Sequence, residues 1–505
     1  MTTTLERPSS RSAALPIPTG AAKRWWILAV LGIAQLMVVL DATVVNIALP
    51  TAQTDLAFSD NARQWIVTAY ALAFGSLLLI GGRIADVIGR KRVFVIGLVG
   101  FALASAVGGA AVNVGMLIGA RAVQGMFAAL LAPAILSLLT TTFTEPGERN
   151  KAFGVFGAIA GAGASIGLLL GGFLTEYANW RWTMYVNLIF AVGALVGGFL
   201  LLEHSKAAER AKLDVPGTVV VSAGLFALVY GFSRAQTDGW ANAVTVGFLV
   251  AAGVLLTAFV ALQRRVAHPL LPLRIVLDRN RGGAYLAMFA AAAGMFAVFL
   301  FLTYYLQASL GYSAVRTGVA FLPLTGSLVV VASLASTVLI ARYSARVLIP
   351  TGMVIAAVGM YLLTDIGLTT SYASHVLPST ILLGIGLGLT FAPGFNLSTL
   401  GVEARDSGVA SATVNTMQQV GGSVGTALLN TIAATAAASY AGAHVGDGAT
   451  AGGAALLKAN AAIHSYTTAF WWAGAIFLVG AVLAAIVLRP GVPEFDPDAA
   501  AGVVL

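Results

Sequence analysis

Cysteine is absent from this 505-residue chain, and charged side chains are scarce. Without cysteine, the chain forms no disulfide, holds no metal through thiolates and has no cysteine nucleophile. Asp, Glu, Lys and Arg make up only 10% of the residues, against about 25% in soluble globular proteins. Hydrophobic residues make up 58%, and the mean hydropathy is +0.89. This composition excludes soluble globular, disordered and fibrous proteins and predicts an all-α integral membrane protein.

Signals for nucleotide use and enzyme chemistry are also missing. None of the six lysines follows a glycine, so the chain has no phosphate-binding lysine of the P-loop type. The five histidines are scattered without the spacing of metal ligands. We therefore predict that the chain is not an enzyme, binds no metal or cofactor, and draws its energy from an ion gradient.

Fourteen apolar stretches are long enough to cross about 30 Å of hydrocarbon as helices. If the N-terminus is cytoplasmic, 22 of the 28 Lys and Arg residues lie on the cytoplasmic side, 5 lie outside, and Arg121 alone lies within a span. The positive-inside rule thus predicts a multi-pass protein of the cell (plasma or inner) membrane with both termini in the cytoplasm. The net charge of +8 reflects this orientation, so we expect no nucleic-acid partner.

Two similar basic loops suggest an internal duplication. One begins at Glu148 and the other at Glu403, each after the fourth span of a set of six. They predict two six-helix halves in parallel repeat with two helices inserted between them; the alternative is that short basic loops resemble each other without duplication. The predicted divisions are a disordered cytoplasmic tail at 1–22, an N-terminal half at 23–204, inserted helices at 205–265, a C-terminal half at 266–489 and a cytoplasmic tail at 490–505.

Asp41 and Arg121 are the ionisable residues that stand out against the apolar spans. At 1.5 Å per residue, Asp41 lies about 24 Å along span 1 and Arg121 about 9 Å from the outer end of span 4. Both therefore reach a similar depth in the outer half of the membrane. Ionisable groups in hydrocarbon are costly and usually functional, so we predict that Asp41 and Arg121 couple transport to protons. The alternatives are that Asp41 is an interfacial helix-end residue and that Arg121 serves packing or gating.

Span 13 is rich in small and amide side chains. Asn415 and Gln419 lie four residues apart and share one face of a helix. Amides on that face can line a cavity or hold neighbouring helices together. We take both residues as candidates for a substrate cavity.

Four motifs resemble one transporter family. Gly-Gly-Arg-Ile-Ala-Asp-Val-Ile-Gly-Arg-Lys-Arg at 81–92 resembles the signature loop of the major facilitator superfamily. Leu-Asp-Ala-Thr-Val-Val-Asn-Ile-Ala-Leu-Pro at 40–50 resembles the span-1 motif of its fourteen-span drug:proton antiporters. Arg-Ala-Val-Gln-Gly at 121–125 is similar to the family's span-4 motif, and Trp-Arg-Trp with Asn187 is similar to its entry to span 6. Span 5 resembles the family's antiporter motif in its glycines, but Leu168 stands where family members usually have a proline.

This resemblance implies the major facilitator fold, with two six-helix bundles plus two inserted helices. It implies a monomeric, proton-coupled efflux antiporter that exports drugs or other amphiphilic small molecules by alternating access. It assigns Gly82, Arg83, Asp86, Gly89 and Arg90 to a gating loop that holds the outward-open state, and places the substrate between the halves, where the candidates are Asn46, Gln124, Asn415 and Gln419. The alternatives are an exporter of an endogenous metabolite or lipid and a membrane sensor that does not transport.

Overall fold

The computed structural model describes residues 20–58, 60–203, 214–267, 269–403, 406–444 and 451–491, and these are helical with short connections. The first six helices are α1 (Ala21–Leu56), α2 (Asp60–Ile88), α3 (Arg90–Gly109), α4 (Val114–Thr142), α5 (Pro146–Tyr177) and α6 (Trp182–Leu201). The next are α7 (Val215–Asp238), α8 (Ala243–Gln263) and the short α9 (Leu273–Val276). The last are α10 (Arg279–Ala297), α11 (Ala314–Ala320), α12 (Leu322–Leu334), α13 (Ala345–Leu362), α14 (Leu377–Thr399), α15 (Ser407–Ala443) and α16 (Ala451–Val487).

Thirteen helical segments among the described residues are long and apolar enough to cross a membrane, and α5 makes a fourteenth when its two bent parts are taken together. The prediction of an all-α protein with fourteen spans is therefore confirmed. The parts of α5 meet at 45°, between Gly163 and Ser165. Because the bend falls in a glycine-rich stretch, α5 kinks although position 168 is a leucine and not a proline.

The predicted tail boundaries differ slightly from the structure. Helix α1 begins at Ala21, so the last two residues of the predicted disordered segment 1–22 are helical. The rest of that segment lies outside the described residues except for Gly20, and the C-terminal tail lies outside them beyond Gly491. The predicted halves and the inserted pair contain the helices expected of them, and the division into domains stays a prediction.

Small residues set the packing of the two halves. In the N-terminal half, α1 packs against α5 and α6, whereas α4 packs against α2 and α3. A β-carbon at Gly163 of α5 would lie 2.6 Å from Val39 of α1, which shows how closely the two backbones approach. In the C-terminal half, α15 packs in the same way on α10, where a β-carbon at Gly425 would lie 2.6 Å from Ala293. Such contacts replace the hydrophobic driving force that helices lack inside a bilayer.

One end of the bundle, which we call the basic end, carries Arg24, Arg90 and Arg149. Here α1 begins close to where α4 ends, since Trp25 and Phe143 have ring centroids 5.5 Å apart. Helix α1 runs from this end to the opposite end and α2 returns, and the pairs α3–α4 and α5–α6 do the same.

The inserted helices lie along one seam between the halves. Ser233 of α7 is 3.3 Å from Thr68 of α2 through their hydroxyl oxygens. Near the same end of the molecule, the Trp240 indole donates to Thr431 of α15 at 2.7 Å. The α7–α8 pair therefore contacts both halves on the side where α2 meets α15.

Candidate functional site

Asp41 and Arg121 form an ion pair inside the N-terminal half. The Arg121 Nη1 atom lies 2.7 Å from Asp41 Oδ2, and the side chains of Arg121 and Asp41 are 3% and 0% exposed. Their contact agrees with the similar depths calculated from the helical rise. Two opposite charges taken out of water repay the cost of desolvation only when they are close and fully hydrogen-bonded.

Three uncharged residues complete what we call the Asp41 network, which consists of Asp41, Ser105, Arg121, Gln124 and Asn187. Gln124 donates to Asp41 Oδ1 at 2.7 Å, and Asn187 donates to the same oxygen at 2.8 Å. Gln124 also accepts from Arg121 at 2.6 Å and donates to Ser105 at 2.6 Å. The network therefore joins α1, α3, α4 and α6, and it holds the carboxylate by donors from two helices.

Tyr70 of α2 brings a fifth helix to this site. The Arg121 guanidinium carbon lies 4.2 Å from the centroid of the Tyr70 ring. A cation over an aromatic face is attracted to it, and the attraction grows when both are shielded from water. The contacts around Asp41 and Arg121 therefore connect five of the six helices in this half, and a change in the charge of Asp41 would alter them.

Asp86 connects the two halves at the basic end. Its Oδ1 atom accepts from the backbone N–H of Gly408 at 3.1 Å. Gly408 lies in the first turn of α15, where free N–H groups and the helix dipole favour a negative charge. Arg90 lies 3.7 Å from the same carboxylate oxygen.

The predicted gating loop is helical over most of its length, and this corrects its description as a loop. Gly82, Arg83 and Asp86 belong to the last turns of α2, and Arg90 begins α3. Gly89 alone is non-helical, with φ of 99°, a conformation that L-residues with a side chain rarely adopt. Gly82 is needed for a different reason, because a β-carbon there would collide with the Gly408 carbonyl.

Two more contacts close the basic end between the halves. The hydroxyl oxygens of Ser137 on α4 and Ser407 on α15 are 2.8 Å apart and buried. Arg149 of α5 is only 6% exposed, and its guanidinium donates to Asn396 at 2.9 Å and to Thr399 at 2.8 Å, both on α14. These contacts join α4 and α5 of the N-terminal half to α15 and α14 of the C-terminal half.

A cleft opens between the halves toward the opposite end. The face of α4 that carries Ser137 faces the C-terminal half, since Ser137 contacts Ser407. Farther from the basic end on this face, Met126 is 47% exposed and Val123 is 42% exposed, whereas Ser137 is fully buried. The cleft is therefore open away from the basic end and closes between Met126 and Ser137.

The four predicted cavity residues lie in different places. Gln124 is fully buried in the Asp41 network, where its amide donates to the Asp41 carboxylate. Asn415 is 7% exposed and donates to the Ser411 carbonyl of its own helix at 2.8 Å, whereas Gln419 is partly exposed. The side chain of Asn46 lies outside the described part of the chain. A role in substrate binding stays a prediction for these residues.

Sequence reasoning missed several members of the site. Ser105 and Tyr70 were not singled out, and Asn187 entered only as part of a motif without a role. A polar side chain in an otherwise apolar span was the available signal for Ser105 and Asn187. Among the described residues, no three His, Asp or Glu side chains lie together in a way that could hold a metal ion.

Comparisons with known proteins agree with the fold. The model of the Major Facilitator Superfamily matches residues 31–426. The chain is 47% identical to the puromycin resistance protein of Streptomyces alboniger, over 97% of each chain. It is 38% identical to the cephamycin export protein of Amycolatopsis lactamdurans, over 79% of this chain and 83% of that protein.

Structural comparison extends the likeness to a distant protein. The crystal structure of the human organic anion transporter TETRAN has a TM-score of 0.60 to this chain at 12% sequence identity. The match covers 91% of this chain and 99% of that one. At this identity the likeness concerns the fold alone.

Proposed function

This chain belongs to the Major Facilitator Superfamily, and from that premise we propose that it exports amphiphilic small molecules across the cell membrane in exchange for protons. It is an efflux transporter: its relatives include resistance and export proteins for puromycin, cephamycin and tetracenomycin C. The proposal adds the driving ion, the residues that carry it and the class of substrate. We take the basic end as cytoplasmic, because the positive-inside rule places most of the lysines and arginines there.

The buried Asp41 carboxylate is the observation that carries the proposal of proton coupling. In the ionised form it accepts from Arg121, Gln124 and Asn187. A proton on this carboxylate would cancel the charge that holds Arg121. Arg121 would then keep Gln124 and the Tyr70 ring as partners, and α1 would be free to shift against α4.

Alternating access supplies the rest of the cycle. In this conformation the basic end is closed by Asp86, Ser137 and Arg149, and the cleft faces away from it. Opening the basic end would break these bridges and expose the substrate site to the cytoplasm. The energy available is about 1.4 kcal/mol per pH unit and about 2.3 kcal/mol per proton charge for each 100 mV of membrane potential.

Transport in proteoliposomes tests this proposal. Puromycin is the probe, and the wild type is compared with Asp41→Asn and with Asp55→Asn. Asp55 is a matched control, because it is an acid of the same helix that lies at the opposite end and pairs with Arg181 at 3.0 Å. We expect an imposed pH gradient to drive puromycin transport in the wild type and in Asp55→Asn, and at least a tenfold lower rate in Asp41→Asn.

Two results would contradict the proposal. One is undiminished pH-driven transport in Asp41→Asn. The other is transport that follows a sodium gradient and ignores the pH gradient.

A further inference from the structure

Gln35 is a polar residue of helix α1 that lies on a face different from that of Asp41. Successive residues of a helix are rotated by about 100° around its axis, which gives the order of the side chains around α1. Val30, which contacts α6, is followed by Asp41, which contacts α4. Gln35 and Ala42 come next in this order, and they are followed by Val39, which contacts α5. Gln35 and Ala42 therefore lie in the gap between α4 and α5.

That gap faces the C-terminal half. Helix α4 meets the other half through Ser137, and α5 meets it through Gly157, where a β-carbon would lie 3.0 Å from Ala392. Ala42 is exposed, whereas the other residues of the stretch 30–45 are buried or partly buried. Its exposure is explained by the cleft between the halves.

Gln35 lies at the depth where this cleft ends. It is six residues, or about 9 Å, nearer the basic end than Asp41. Met126 is five residues, or about 7.5 Å, nearer the basic end than Arg121, which pairs with Asp41. Gln35 and Met126 are thus at similar depth, close to the middle of the membrane, where transporters of this architecture place their substrates.

The Gln35 side chain has a buried hydrogen-bond acceptor without a partner. The residue is 6% exposed, and its Oε1 atom has no hydrogen-bond partner. A buried polar atom left without a partner costs about 1–3 kcal/mol. A ligand that donates a hydrogen bond at this point would remove that cost.

The C-terminal half brings no charge to this depth. Its sequence contains no Asp, Glu, Lys or Arg in the stretches 282–315, 317–341, 347–364, 376–402, 407–446 and 459–488. On the N-terminal side, Asp41 and Arg121 are enclosed in their network. A charged group on a substrate would therefore find no fixed counter-charge at the floor of the cleft.

We propose that Gln35 is a specificity-determining residue whose amide hydrogen-bonds an uncharged polar group of the substrate, and that the substrate binds in its uncharged form. This inference rests on the proposed export function. The proton and the substrate then bind on different faces of α1, the proton at Asp41 and the substrate at Gln35.

The test uses puromycin and N-acetylpuromycin, which lacks the basic amine. Wild type, Gln35→Leu and Gln35→Met are compared in proteoliposomes with Gln53→Leu, a matched amide variant of the same helix. We expect the KM of both probes to rise about tenfold in the two Gln35 variants, as the loss of one hydrogen bond predicts. The maximal rate and the ratio of protons to substrate should not change, and wild type should transport N-acetylpuromycin with a KM no higher than that of puromycin.

Three outcomes bear against the inference. An unchanged KM in both Gln35 variants would overturn the role of Gln35. Transport of puromycin without transport of N-acetylpuromycin by wild type would overturn binding in the uncharged form. Failure of wild type to move either probe would overturn the proposed export function, and this inference with it.

Discussion

The contact between Ser137 and Ser407 allows the closed basic end to be locked covalently. Both hydroxyls are buried, and their oxygens are 2.8 Å apart across the interface between the halves. Because C–S bonds are longer than C–O bonds, cysteines at these positions would bring their sulfur atoms closer than 2.8 Å, toward the length of about 2.05 Å in a disulfide. The chain contains no other cysteine, so the double variant Ser137→Cys/Ser407→Cys can form only this intramolecular bond.

The size of the effect follows from the position of the pair. The two residues are 270 positions apart in the chain, and the chain-entropy model gives a cross-link over such a loop about 5–6 kcal/mol against unfolding. The oxidised protein should therefore melt at a higher temperature than the reduced protein. For transport, the bond prevents the basic end from opening. A penalty of only about 1.4 kcal/mol on the open state already lowers its population tenfold, so we expect at least a tenfold loss of transport.

Transport of puromycin is measured before and after reduction, together with the cross-linked fraction on a gel. We expect activity to fall in proportion to the cross-linked fraction and to return on reduction. The single variants Ser137→Cys and Ser407→Cys should be insensitive to oxidant. A fully cross-linked protein that transports as fast as its reduced form would refute the assignment of this contact to the moving interface.

Two further predictions concern the Asp41 network and the orientation. Asn187→Ala removes a donor to the buried Asp41 carboxylate and should lower the free energy of unfolding by about 1.5–3 kcal/mol. The control Ile189→Ala changes a position that is 64% exposed on the same helix and should lower it much less. Equal melting temperatures of the two variants would contradict the role of Asn187. In intact cells, a membrane-impermeant maleimide should label Val112→Cys, at an exposed position of the opposite end, and leave Lys151→Cys at the basic end unlabelled; the reverse pattern would invert the proposed orientation.

Much of the fold was predictable because a bilayer leaves few choices. Backbone polar groups in hydrocarbon must be satisfied within each segment, so long apolar runs become helices whatever their neighbours are. The fourteen-span prediction depended on that rule and is confirmed, with α5 counted as one bent helix. The rise per residue of a helix was also enough to predict that Arg121 and Asp41 lie at a similar depth in the membrane.

Other features depended on contacts between distant segments. Helical periodicity places Gln124 on α4, but only the packing of α4 against α1 and α3 shows that its amide belongs to Asp41 and Ser105. The motif around Asp86 suggested a loop, whereas the structure continues α2 to Ile88 and places the Asp86 carboxylate against the first turn of α15.

The sequence by itself therefore determined the class of protein, the number of spans, the expected orientation and the one acid that stands deep in an apolar span. These properties depend on local composition and on distances along single helices. Only the tertiary structure decided that the Asp41 carboxylate faces the interior of one half, that Ser137 and Arg149 close one end, and that Gln35 lies beneath the cleft. Such relations depend on how each helix is rotated against its neighbours, and that rotation is set by close packing among many small residues that no single segment encodes.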